Sequence, residues 1–129
     1  MTPKRNFICA GAILGALAII FGAYGAHALK KTLDPSQMAA FDTGVTYQMY
    51  HALFLLFVGL LPVREHIAKS MLQFVVWGII CFSGSIYLLA TRSVTGIDIR
   101  PIGWITPIGG LLLIAAWVIL FVEFVRKKS

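Results

Sequence analysis

Charged side chains are scarce in this sequence, and acidic ones are the scarcest: eleven residues are Lys or Arg but only five are Asp or Glu. Charged residues make up 12% of the 129 residues, about half the share of an ordinary soluble domain. The chain also lacks linkers, low-complexity runs and any catalytic or cofactor motif. We therefore expect no soluble domain, no enzyme activity and no cofactor.

Cysteine is equally sparse, and the two present exclude little. Cys9 and Cys81 have neither the spacing of a metal site nor surroundings that favour a disulfide, so both are interpreted as small packing residues. The formal charge of +6 does not indicate nucleic acid, because the basic residues lie at the ends of apolar runs and face lipid headgroups more readily. Membrane lipids are the expected partners, and nucleic acid is excluded.

What the sequence has in abundance is long apolar runs, at residues 7–28, 45–63, 71–90 and 106–122. Each is close to the ~20 residues that a helix needs to cross ~30 Å of hydrocarbon, and in lipid only helices or closed barrels satisfy every backbone group. The sequence predicts an all-α membrane protein of one domain, 1–129. Its four transmembrane helices, at about 7–28, 35–62, 71–90 and 106–125, form an antiparallel bundle.

Two of these helices have recognisable start signals. Asp34, Pro35 and Gln37 fit the N-cap, first helical position and third helical position of a capping box, so the second helix is predicted to begin before the membrane. Thr106 and Pro107 give the fourth helix a similar signal. The segment before Thr106 is then expected to be a non-helical outer loop.

Small residues form stripes on the predicted helices, and such stripes let helices pack closely in lipid. The first helix carries the longest stripe and is expected to sit centrally. Its members are Gly11, Gly15, Ala18, Gly22 and Gly25. Candidate partner surfaces are the shorter stripes of the third helix, Gly78, Cys81 and Ser85, and of the fourth, Gly109 and Gly110.

The distribution of Lys and Arg predicts the orientation, because these residues are enriched in cytoplasmic loops. With both termini in the cytoplasm, seven lie inside: Lys4, Arg5, Arg64, Lys69, Arg126, Lys127 and Lys128. Four lie outside: Lys30, Lys31, Arg92 and Arg100. Both termini are therefore predicted to be cytoplasmic. His66 and Glu123, at the inner side, are interpreted as solvated headgroup contacts.

Polar side chains within the spans cluster near the outer boundary, within ~10 Å of it at 1.5 Å per residue. These candidate ligand-binding residues are Tyr24, His27, Thr43, Tyr47, Gln48, Tyr50, His51, Ser83, Ser85, Tyr87 and Thr106. A histidine in lipid needs a hydrogen-bond partner, and for His51 we expect Tyr24, Gln48 or a serine of the third helix. The inner half of the bundle is expected to be apolar.

Three interpretations of this outer layer remain open. It forms interhelical hydrogen bonds with an aromatic belt, or it lines a pocket for a lipid headgroup, quinone or other amphiphile. The third is a haem or metal site using His27 and His51. A small structural or accessory subunit of a membrane complex, or a homo-oligomer, is the alternative to ligand binding. With no acidic residue at mid-depth, transport by a monomer is not expected.

Four motifs follow one another along the chain: Gly22-Ala23-Tyr24-Gly25-Ala26-His27-Ala28-Leu29, Phe41-x-Thr43-Gly44-Val45-x-Tyr47-Gln48-x-Tyr50-His51-Ala52-Leu53, Phe82-Ser83-Gly84-Ser85-Ile86-Tyr87 and Ile105-Thr106-Pro107-Ile108-Gly109-Gly110. Together they resemble the YgdD/YwdK family of small membrane proteins, domain of unknown function 423. The resemblance implies a multi-pass protein of the bacterial inner (plasma) membrane with four helices, and it supplies no activity. Its motifs contain the same polar residues as the outer layer.

Overall fold

The computed structural model describes residues 3–127, and the part of the chain it describes folds into helices without strands. Four long helices are α1, Pro3–His27; α2, Pro35–Val58; α3, Glu65–Ala90; and α4, Ile105–Arg126. Within α3 a π-helical turn, Ile80–Gly84, separates the α-helical segments Glu65–Ile79 and Ser85–Ala90. The predicted all-helical architecture is confirmed. Lys128, counted in the charge bias, lies outside the described residues.

Three stretches of this part of the chain are long and apolar enough to cross a membrane by length and composition, namely Lys4–Lys31, Glu65–Ala90 and Ile105–Arg126. Helix α2 does not reach the same hydropathy. The reason is its concentration of polar side chains around Gln48 and His51, which lowers its mean hydropathy although the helix has 24 residues. Composition therefore supports three spans directly.

The start of α2 confirms the predicted capping box. The backbone N–H of Gln37 donates to Asp34 Oδ1 at 2.8 Å, and the N–H of Asp34 donates to Gln37 Oε1 at 3.2 Å. Pro35 occupies the first helical turn, where its missing N–H costs nothing. The two side-chain bonds satisfy donors that helix geometry leaves unpaired.

The predicted cap of α4 is wrong. The helix begins at Ile105, and the residue at its cap position, Trp104, makes no side-chain capping bond. The hydroxyl of Thr106 is used elsewhere, because its Oγ1 lies 2.5 Å from Oγ of Ser85 on α3. The Thr-Pro pair therefore supplies an interhelical bond near the start of α4.

The segment before α4 is also more ordered than the predicted non-helical loop. It contains a one-turn helix, Arg92–Thr95, and a 3₁₀ turn, Arg100–Ile102. Gly96 ends the first at φ 75°, in the left-handed region that glycine adopts readily. Asp98 accepts hydrogen bonds from the side chain and backbone of Arg100 at the start of the 3₁₀ turn. These bonds lower the pKa of Asp98 to about 2. Local turn chemistry thus shapes this segment.

The glycine stripe of α1 packs closely, as predicted, but against α2. A Cβ added to Gly11 would lie 2.8 Å from the carbonyl oxygen of Ala52, and one added to Gly25 would lie 2.9 Å from Phe41 Cε1. Near the start of α1, Phe7 meets Gly59, just after α2, in the same way. Helices α1 and α2 are therefore an antiparallel pair in contact along their length. The expected central position of α1 is wrong, since its remaining faces are largely exposed.

The second close pair is α3 with α4. A Cβ on Gly78 would lie 2.7 Å from Leu113 Cδ2 and 3.2 Å from the carbonyl oxygen of Gly109. A Cβ on Gly109 would lie 2.4 Å from the backbone nitrogen of Phe82 in the π turn. Gly78 and Gly109 thus allow α3 and α4 to approach each other closely. Apolar side chains from all four helices fill the space between the pairs, in a core of Phe7, Phe54, Leu55, Val58, Ala68, Met71, Val75, Ile79, Leu113 and Ala116.

Candidate functional site

One buried amide, near the middle of α2, connects three helices. Gln48 of α2 is 3% exposed, and its Nε2 donates to the carbonyl oxygen of Leu14 on α1 at 2.8 Å. Its Oε1 accepts from the hydroxyl of Tyr87 on α3 at 2.6 Å. The ring of Tyr87 packs against Phe21 and Phe41, with ring centroids 5.2 and 5.1 Å apart. Both the nitrogen and the oxygen of the amide are therefore hydrogen-bonded, and we call these two bonds the Gln48 bridge.

His51 has a partner that the sequence analysis did not foresee. The indole Nε1–H of Trp117 on α4 donates to His51 Nε2 at 3.0 Å, and Nδ1 lies 2.7 Å from the carbonyl oxygen of Tyr47. An indole N–H only donates and a carbonyl only accepts, so the arrangement fits the neutral ring with its proton on Nδ1. None of the predicted partners of His51 is used.

This arrangement bears on the metal hypothesis. Both ring nitrogens of His51 are engaged, and a ligating nitrogen would have to give up the bond to Trp117 or to Tyr47. His27 is exposed at the last residue of α1. Within residues 3–127, no three His, Cys, Asp or Glu side chains come together as a metal ion would require. The structure therefore offers no pre-formed ligand shell around His51.

The two predicted serines of α3, Ser83 and Ser85, also make interhelical or local bonds. Ser83 is fully buried in the π turn, and its hydroxyl donates to the carbonyl oxygen of Gly44 on α2 at 2.7 Å. Ser85 donates to the carbonyl oxygen of Phe82 at 3.0 Å and also meets Thr106. With the Gln48 bridge and His51, these bonds tie α2, α3 and α4 together.

The remaining predicted residues lie outside this set of bonds. Tyr24, His27, Thr43 and Tyr50 are exposed, and the hydroxyl of Thr43 bonds within its own helix. Tyr47 offers its backbone carbonyl to His51 while its ring packs against Phe82. The structure therefore divides the predicted layer into interhelical hydrogen bonds and exposed side chains.

A cavity of about 200 Å³ lies where α1, α2 and α3 meet the one-turn helix Arg92–Thr95, at the end of the bundle that the sequence predicts to be the outer one. Two predicted residues, Tyr24 and Tyr87, line it. The complete lining is Phe21, Tyr24, Leu29, Phe41, Tyr87, Thr91, Val94 and Thr95. Its walls are mostly aromatic and aliphatic, and they include four residues with hydroxyl groups, Tyr24, Tyr87, Thr91 and Thr95. We call this space the outer cavity.

The opposite end of the bundle contains an ion pair with a buried carboxylate and an exposed guanidinium. Glu123 of α4 is 5% exposed, and its carboxylate accepts from the Arg64 backbone N–H at 3.1 Å, from Nε at 3.0 Å and from Nη2 at 2.7 Å. These bonds and the carboxylate charge raise the pKa of Arg64. The interpretation of Glu123 as a solvated headgroup contact is wrong, and polar groups occur at both ends of the bundle. No periodicity in the sequence pairs Glu123 with a loop residue 59 positions away.

Residues 21–110, which contain the outer cavity and both Gln48 and Tyr87, match a family described as protein of unknown function, DUF423. The chain belongs to this family. A UPF0382 membrane protein of Staphylococcus saprophyticus is 39% identical over 92% of this chain and 95% of its own. The membrane protein YwdK of Bacillus subtilis is 40% identical over 95% and 98%, and the inner membrane protein YgdD of Escherichia coli is 33% identical over 99% and 95%. No solved structure matches the chain.

Membership in the DUF423 family confirms the resemblance drawn from the four motifs, and these relatives bear the name of membrane proteins. With its three apolar helices, the chain is a multi-pass integral membrane protein. The matched region ends at residue 110. It therefore includes every predicted site residue, whereas Trp117 and Glu123 lie beyond it.

Proposed function

We propose that this DUF423 protein crosses the inner membrane four times, with α2 as the additional span. Helix α2 contacts α1 from Phe41 at one end to Gly59 at the other, so a bilayer that contains α1 also surrounds α2. The polar groups that lower the hydropathy of α2 do not oppose this placement. Gln48 and His51 are 3% and 4% exposed and hydrogen-bonded within the bundle, as polar groups in a membrane must be.

We further propose that both termini face the cytoplasm. Contacts gather the basic residues near the termini and the α2–α3 connection at one end: Arg64 pairs with Glu123, and Lys127 donates to the carbonyl oxygen of Pro62. Lys4 lines a cavity there together with Glu65. By the positive-inside rule the end with more Lys and Arg is cytoplasmic.

Labelling of single cysteines tests this topology. In a background with Cys9 and Cys81 replaced by serine, Ser36→Cys in the first turn of α2 and His66→Cys beyond its other end place thiols at two exposed positions. With four spans, a membrane-impermeant maleimide added to intact inner-membrane spheroplasts should label Ser36→Cys and spare His66→Cys. Both should react after permeabilisation. Equal labelling of the two in intact spheroplasts would mean that α2 does not cross.

For the outer cavity we propose a non-enzymatic role, the binding of one end of an amphiphile from the outer leaflet. The observation that supports this proposal is a cavity with mostly aromatic and aliphatic walls, at the end of the bundle that we propose to be the outer one. Its volume of about 200 Å³ is below the ~300–1,000 Å³ of sites that enclose a whole drug-sized ligand. It therefore suits an alkyl chain or a quinone ring, with the rest of the molecule remaining in the lipid.

A cavity-filling substitution tests the role of the outer cavity. Val94→Trp places an indole at a residue that lines the cavity, whereas Ser93→Trp adds the same indole to an exposed neighbour on the same turn that does not line it. We expect the original chain and Ser93→Trp to co-purify with one enriched lipid or quinone. In Val94→Trp that species should fall by about tenfold, the loss that corresponds to 1.4 kcal/mol. Mass spectrometry of extracts from equal amounts of protein measures it.

The thermal unfolding midpoint of each variant controls for folding. If all three proteins carry only lipids in the proportions of the bulk membrane, the cavity does not select a ligand. If Val94→Trp and Ser93→Trp lose the enriched species equally, the ligand lies elsewhere. Both results contradict the proposal, and recovery of one stoichiometric protein partner in place of a small molecule supports an accessory subunit.

A further inference from the structure

The end of the bundle where α1 begins and α4 ends has a polar cavity of about 290 Å³, which we call the inner cavity. Its lining is Arg64, Glu123, Arg126 and Lys127. Three cationic side chains face one carboxylate, and that carboxylate is already neutralised by Arg64 at 2.7 Å. Two positive charges, those of Arg126 and Lys127, are therefore left over at the cavity.

Two apolar grooves flank the inner cavity on opposite sides of α4. The first, of about 220 Å³, shares Arg64, Glu123 and Arg126 with the cavity and continues between α3 and α4 along Ile67, Val118, Ile119 and Val122. The second, of about 460 Å³, lies between α2 and α4 and is lined by Phe57, Leu61, Leu120, Phe121, Phe124 and Val125. Because α-helical residues advance by about 100° each, the two sets of α4 side chains lie on different faces of that helix.

Lys127 connects the inner cavity to the second groove. Its ammonium lies 5.1 Å from the centroid of the Phe124 ring, which lines that groove. The same ammonium donates to the carbonyl oxygen of Pro62. A charged group is thus held above an apolar groove, as Arg126 is above the other one.

We propose that this end of the protein binds an anionic diacyl phospholipid. The phosphate lies in the inner cavity beside Arg126 and Lys127, and one acyl chain follows each groove along α4. The charge of the cavity favours an anionic headgroup over a zwitterionic one, and basic pockets between spanning helices are the usual form of such sites. Two separate grooves match a lipid with two chains. This site is at the opposite end from the outer cavity and does not depend on the function proposed for it.

Native mass spectrometry of the full chain in detergent tests the proposal, with phosphatidylglycerol or phosphatidylcholine as the added lipid. Replacing Arg126 and Lys127 by glutamine should weaken phosphatidylglycerol binding about thirtyfold, from ~1 kcal/mol per basic residue near a lipid surface. The matched control replaces Lys30 and Lys31 by glutamine, which removes two charges at the other end and should leave binding unchanged. Arg126→Gln alone, which keeps Lys127 on Pro62, should weaken binding about fivefold and serves if the double variant unfolds.

Four outcomes would overturn the proposal. The two double variants could lose phosphatidylglycerol equally, or phosphatidylcholine could bind as well as phosphatidylglycerol. Inorganic phosphate or glycerol phosphate could displace the lipid at equal concentration, which would show that a free phosphate ester is recognised without the grooves. A dimer mass that persists when phosphatidylglycerol is added would show that a second copy of the chain covers the grooves. The Val94→Trp variant, which changes the outer cavity, should still bind phosphatidylglycerol. Its binding therefore distinguishes the lipid site proposed at this end from the ligand site proposed at the outer cavity.

Discussion

Gly109→Ala is expected to lower the free energy of unfolding by about 3 kcal/mol, at the upper end of what overpacking a well-packed site costs. The added Cβ would lie 2.4 Å from the backbone nitrogen of Phe82 and 2.8 Å from the backbone carbon of Cys81. Both are backbone atoms of the π turn, so no side-chain rotation relieves the contact. Helices α3 and α4 would have to separate, and lipid offers no hydrophobic driving force to hold them together.

The neighbouring glycine gives a matched control for Gly109→Ala. A Cβ on Gly110 would lie 3.6 Å from Phe82 Cδ1, which is an ordinary van der Waals distance. Alanine is favoured over glycine inside a helix by up to about 1 kcal/mol, so Gly110→Ala should be neutral or stabilising. Unfolding of the detergent-solubilised proteins in increasing denaturing detergent, followed by circular dichroism, measures both. If the two variants unfold at the same concentration, α3 and α4 do not approach at Gly109.

Gln48→Leu is expected to lower the free energy of unfolding by about 2 kcal/mol. The substitution removes the bonds to Leu14 and Tyr87, so the Tyr87 hydroxyl loses its acceptor on α2. Interhelical hydrogen bonds in membranes contribute ~0.6 to 2 kcal/mol each, and the substitution removes two of them. Leucine has nearly the same volume as glutamine, so lost packing contributes little.

A double-mutant cycle separates the Gln48 bridge from other effects. With Gln48→Leu present, Tyr87→Phe should cost less than it does alone, by a coupling energy of about 1 kcal/mol. Tyr50→Phe removes the same hydroxyl from an exposed ring on α2 and should change stability by less than about 0.5 kcal/mol. Additive effects of Gln48→Leu and Tyr87→Phe would show that the two side chains do not interact in the membrane.

Local signals in the sequence predicted what depends on neighbouring residues. The capping box at Asp34 and Gln37 forms as expected, because both partners lie within one helical turn. The glycine spacing of α1 correctly indicated a close helix contact. Which helix makes that contact was predicted wrongly, because a stripe of small residues is complementary to any helix that can approach it. Its partner, α2, has larger side chains such as Val45 and Phe41 on the contacting face.

Depth counting selected polar residues that prove to be buried, including Gln48, His51 and Ser83, since a polar group in lipid must turn inward. It did not identify their partners. Trp117 was counted as apolar although its indole N–H is the donor to His51, and the vertical offset between α2 and α4 depends on loops that no helical period encodes. Thr106 was assigned to a cap because capping is the commoner use of that residue before proline. In the structure the Thr106 hydroxyl instead lies 2.5 Å from the Ser85 hydroxyl and bonds to it.

The π turn at Ile80–Gly84 has a consequence for how much change α3 tolerates. A π turn accommodates one residue more than the regular spiral, which offsets everything after it by about 100° around the axis. Before the turn Gly78 meets α4, and after it Tyr87 reaches Gln48 of α2. The extra residue therefore rotates the side chains that follow it, so that one helix contacts two different neighbours. Deleting one residue there would restore a regular α-helix. The side chains after the turn would then point away from α2, which they contact now.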